Sequence, residues 1–147
     1  MTKKERNARR RIAYHLRRAM RLVAGRPMRW GVDDCSRFHC DVNVIATGVD
    51  PAAGYRYQTE DEARELMGKG GLMRTVASAF RKLGWYRIDP KEALVGDVGI
   101  FMGMFRGKPG ASIVRCLHRG EWVGRNEHGW SIITTKDIKA AWRIVLP

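Results

Sequence analysis

Trp30-Gly31-Val32-Asp33-Asp34-Cys35-Ser36-Arg37-Phe38-His39-Cys40-Asp41-Val42-Asn43-Val44-Ile45-Ala46-Thr47-Gly48 is the stretch on which the fold turns. The adjacent carboxylates of Asp33 and Asp34 can accept the unpaired N–H groups of a first helical turn, so a helix is expected to start at one of them. Cys35, Phe38, Val42 and Ile45 then recur at steps of three and four and predict one apolar stripe. Gly48 supplies the stop. Cys35 therefore lies at a helix N-terminus, where free N–H groups and the positive end of the dipole favour a thiolate.

On the N-terminal side, Ile12, Leu16, Ala19, Met20 and Val23 mark the apolar face of a helix over about residues 5–24, closed by Gly25 and Pro27. On the C-terminal side, residues 49–56 read as an irregular loop. Thr59 and Glu62 form a capping box for a third helix to about Met67, and Leu72 to Leu83 is a fourth, ended by Gly84. After Pro90 the runs at 98–102, 112–117, 121–123 and 131–133 are short and β-favourable, with Arg119-Gly120 as a hairpin turn. Residues 137–141 are expected to make one helical turn before a last strand over 142–146. Helices first and strands afterwards is an α+β order, with N-terminal helices packed on a small antiparallel sheet. The expected organisation is one globular unit, a basic helix at 1–25 leading into an α+β domain at 26–147.

Arg26-Pro27-Met28-Arg29-Trp30-Gly31-Val32-Asp33-Asp34-Cys35-Ser36-Arg37-Phe38, Thr47-Gly48-Val49-Asp50-Pro51 and Val95-Gly96-Asp97-Val98-Gly99-Ile100-Phe101 together resemble the NlpC-type branch of papain-like cysteine peptidases. The likeness is to the small members encoded beside tail-tip genes of long-tailed phages. The resemblance implies a papain-like fold with Cys35 as nucleophile, a histidine on a neighbouring strand as base, and a third polar group to orient it. It also implies a phage tail-tip, baseplate or tail-assembly component, made in the host cytoplasm and carried in the virion tail. Its expected partners are other tail-tip or hub proteins, and peptidoglycan in active relatives.

The pattern breaks at the base. The histidine belongs near Ala111-Ser112-Ile113, where Ser112 stands instead, and the orienting group belongs near Val123-Gly124-Arg125, where Arg125 would repel an imidazolium. His118 and His128 are the candidate substitutes. His39 lies about 40° round the helix from Cys35 and roughly 6 Å along it, which suits a metal pair better than an attack partner. The residues alone leave Cys35 as a buried core thiol, a nucleophile, or a metal or redox group. Cys35 and Cys40 point about 140° apart on one helix and cannot clamp one ion, so no metal or cofactor is expected. The reading is a structural protein with a degenerate peptidase site. An active peptidase cutting peptidoglycan cross-bridges is the enzymatic alternative.

Of 147 residues 44% are hydrophobic, too many for a disordered chain, and no apolar run approaches the length of a membrane-spanning helix. Three cysteines make an odd count, and no signal peptide is expected, so the thiols are expected to be free. The net charge is +13, and residues 1–29 carry eleven basic residues against one acid, Glu5. Arg9, Arg10, Arg11, Arg17, Arg18 and Arg21 are the expected partner-binding residues. Docking on an acidic protein surface, with Ile12, Leu16 and Val23 as expected anchors, is preferred over phosphate binding to nucleic acid, and with only Tyr14 among the arginines no stacking on single strands is expected. A membrane surface ranks third, because the apolar face lacks Trp and Phe.

Overall fold

The computed structural model describes residues 1–105 and 107–147. Helix α1 (Lys3–Val23) starts on Thr2, whose side chain accepts the Glu5 N–H. Helix α2 (Cys35–Thr47) starts on Asp34 and ends on Gly48, which takes the left-handed conformation that costs glycine nothing. Helix α3 (Glu60–Met67) is capped by Thr59, and α4 spans Gly71–Lys82. Thr59 accepts the Glu62 N–H while the Glu62 carboxylate reaches back to the Gln58 N–H.

The strands are β1 (Tyr86–Ile88), β2 (Val98–Phe105), β3 (Lys108–His118), β4 (Glu121–Asn126), β5 (Gly129–Thr134) and β6 (Ile138–Arg143). They form one antiparallel sheet in the order β1-β6-β2-β3-β4-β5. The protein is therefore α+β, with four α-helices and a six-stranded sheet among the described residues.

Two layers of side chains hold it together. Ile12, Leu16, Phe38, Val42, Val76 and Phe80 from the helices meet Ile100, Ile113, Val123 and Trp142 of the sheet in the main core. Burial of that apolar surface is the largest stabilising contribution, at about 25 cal/mol per Å². Helix α1 turns one face, Ile12, Ala13, Leu16, Met20 and Val23, into this core. The other face of the sheet closes over a smaller cluster around Val114, Trp122, Ile133 and Ile138. Gly99 lies under the Trp122 ring, and a Cβ there would press on that ring and on the Ile138 side chain at 3.0 Å.

Three local expectations change. Ile45 is 65% exposed, because the inward arc of α2 runs through Phe38, His39, Val42, Asn43 and Ala46. The expected helical turn at 137–141 is mostly strand. A 3₁₀ turn ends at Asp137, and Ile138–Arg143 pairs with both β1 and β2, so sheet pairing overrides the helix preference of Ala140 and Ala141. Strand β1 was not foreseen, since three residues between Gly84 and Pro90 carry no readable alternation.

Candidate functional site

Asp34 builds the approach to Cys35. Its carboxylate accepts from the N–H groups of Gly31, Ser36 and Arg37 and from the Tyr57 hydroxyl, all at 2.8–3.0 Å, and it is fully buried. One side chain thus caps α2, closes the turn at residues 31–34 and ties down the segment at Tyr57. Gly31 has φ +76° and faces the Tyr57 carbonyl so closely that a Cβ would overlap it. Asp33, expected as the other cap, instead accepts from the Arg29 N–H and guanidinium and pairs with Arg125. Burial would raise its carboxyl, but these donors more than offset that and hold it below the usual range.

Cys35 is half-buried and opens on a cleft of about 110 Å³, mostly apolar, whose walls include Trp30, Tyr55, Tyr57, Leu72 and Phe80. The strand residues facing its sulfur are Ser112 and Ile113, with Ser36 from its own helix. Burial pushes the thiol up, and so does the adjacent Asp34 carboxylate. Polar contacts from Ile113, Ser112 and Ser36 favour the thiolate but do not compensate. The helix N-terminus was expected to yield a thiolate; desolvation and the capping carboxylate yield a thiol. Cys40 and Cys116 are buried free thiols, each pushed up to about 12 chiefly by burial.

The histidines lie elsewhere. His118 is six residues beyond Ser112 on β3, roughly 20 Å along an extended strand, and its Nε2 lies 3.1 Å from Arg17 Nη2. His128 is exposed on the β4–β5 turn, with its N–H held by the Asn126 side chain. His15 stacks edge-on against Tyr14 of α1. His39 is buried under the sheet against Phe38, and neither ring nitrogen has a hydrogen-bond partner. Among the described residues no hydrogen bond or ion pair joins an imidazole to Cys35. Neither candidate substitute, His118 or His128, is among the residues lining the cleft beside Cys35.

Arg125 is buried and donates to the carbonyls of Arg26, Pro27, Asp33, Asn126 and Gly129. It clamps the loop ahead of α2 to the β4–β5 turn. Asp97 has an equivalent role at the other end, accepting from Arg9, Arg143 and the N–H groups of Leu94 and Ile144. Arg9 is thus 3% exposed and turned inward, which removes it from the expected partner-binding set. Arg10, Arg11, Arg17, Arg18 and Arg21 are exposed. The buried Arg115 donates to Asn43 Oδ1, Gly96 O and His39 O, and its guanidinium is lowered to about 10 by burial.

Sequence reading missed three of these roles. Asp97, Arg115 and Tyr57 act through long-range contacts that no local spacing encodes. The signal for Tyr57 was an aromatic group inside an irregular loop, Tyr55-Arg56-Tyr57.

No curated protein matches the chain. The family pattern described as a domain of unknown function, DUF6950, matches residues 8–144, and the chain belongs to that family.

Proposed function

We propose that this chain is a papain-like fold of the NlpC type that serves as a structural component of a phage tail tip or tail-assembly complex, its peptidase chemistry lost. The observation that carries the loss is the environment of Cys35. The cysteine opens a helix packed on a central strand, as the resemblance requires, yet the strand residue facing it is Ser112 and the thiol is held protonated. A thiol attack on an amide needs a base to take the proton and then return it to the leaving amine. Ser112 and a backbone amide can do neither at neutral pH. Arg125, at the position where an orienting group belongs, is committed to five carbonyls.

The tail setting rests on the resemblance of residues 26–38, 47–51 and 95–101. It agrees with a chain that presents a cationic helix on a surface separate from the Cys35 cleft. Incubation of the purified protein with peptidoglycan sacculi tests the loss of chemistry. Wild type and Cys35→Ala are expected to release the same background of fragments, and release abolished by Cys35→Ala overturns the reading. Peptide mass spectrometry of purified virions from a phage encoding this chain tests the setting. The protein is expected among the tail components, and its absence from tails and from tail-assembly intermediates refutes that part.

A further inference from the structure

The outward side of α1 is ordered. Lys3, Arg6, Arg10, Arg17 and Arg21 fall along one flank, and Tyr14, Arg18 and Leu22 follow at steps of four along the crest, by the 100° rotation per residue of an α-helix. All eight are exposed, and Tyr14 and Leu22 keep 55% and 61% of their surface in water. Glu5, the one acid of the helix, is bonded to Arg9 and so does not neutralise the crest. Arg17 touches His118, which brings the β3–β4 turn and its exposed Arg119 alongside the basic flank. No residue of α1 lines the Cys35 cleft, so this surface is independent of the fate of the cysteine.

We propose that this crest is a docking surface for an acidic protein partner, one presenting an amphipathic helix with leucine-type side chains flanked by glutamate or aspartate. Charge complementarity selects an anionic partner. The apolar pair selects protein over nucleic acid: a phosphate backbone would neutralise the arginines and leave Tyr14 and Leu22 wet, whereas a protein surface covers both. Tyrosine and arginine side by side are also the residue types that carry most binding energy at protein interfaces.

The test uses the full chain and fluorescence anisotropy with three labelled probes. They are a synthetic leucine–glutamate helical peptide of about 20 residues, the same peptide with serine for leucine, and a DNA duplex of about 20 base pairs. The leucine–glutamate peptide is expected to bind in preference to the other two. Leu22→Ser and Tyr14→Ser, which leave the charge unchanged, are each expected to weaken it by about tenfold. The double variant Arg17→Glu, Arg21→Glu is expected to weaken it further. All four positions are exposed, so thermal melts matching wild type are expected to show the fold retained. Equal binding of the serine peptide, indifference to Leu22→Ser, or no binding of the leucine–glutamate peptide overturns the proposal. Tighter binding of the duplex overturns it in favour of nucleic acid.

Discussion

His39 shows how one residue couples the fold to pH. Its ring is buried, and burial together with the neighbouring Arg115 outweighs the backbone of Val123 and Ile113 and holds its pKa well below the usual histidine value. The unfolded chain takes up a proton near pH 6.5, whereas the folded chain does so only at lower pH. Stability is therefore complete above that value and falls as the pH drops through the gap between the two. Denaturant unfolding at a series of pH values between about 5 and 7.5 is expected to show this loss, and His39→Leu to flatten it. An unchanged slope in His39→Leu would contradict the assignment. A histidine on the inward arc of a helix is visible in the sequence; that it faces Arg115 is not, since Arg115 lies on a strand 76 residues away.

At the scale of elements, the α2 start depends on what precedes it. Arg125 holds that loop through five carbonyls, and lysine, with a point charge and three donors, cannot reproduce the fork. Arg125→Lys is expected to cost about 3 kcal/mol in denaturant unfolding, the scale for breaking a buried charged network. A loss below about 0.5 kcal/mol, typical of an exposed site, would show that the clamp contributes little. Helix boundaries were legible because capping is local: Asp34, Gly48 and the Thr59–Glu62 pair each act within four residues. Strand β6 and the inward turn of Arg9 were not, because both are decided by partners distant in sequence, β2 and Asp97. The position of Cys35 belongs to the legible part. Its protonation does not, because the helix terminus that favours a thiolate is outweighed by burial and by its own capping carboxylate.

For the whole molecule, the basic face of α1 and the cleft at Cys35 are separate surfaces. The exposed arginines of α1 lie outside the cleft beside Cys35, whose walls include Trp30, Tyr55, Tyr57, Leu72 and Phe80 and which receives no imidazole among the described residues. On the proposed function, Cys35 holds the place of a nucleophile and stays a protonated thiol. The pH dependence of iodoacetamide alkylation at Cys35 tests this most directly. It is to be measured on the native protein and read peptide by peptide, so that Cys40 and Cys116 are scored separately. The account predicts a rate that stays low through neutral pH and climbs only above the free-thiol range of about 8.5. A rate already at its plateau at neutral pH, the mark of a thiolate, would contradict it.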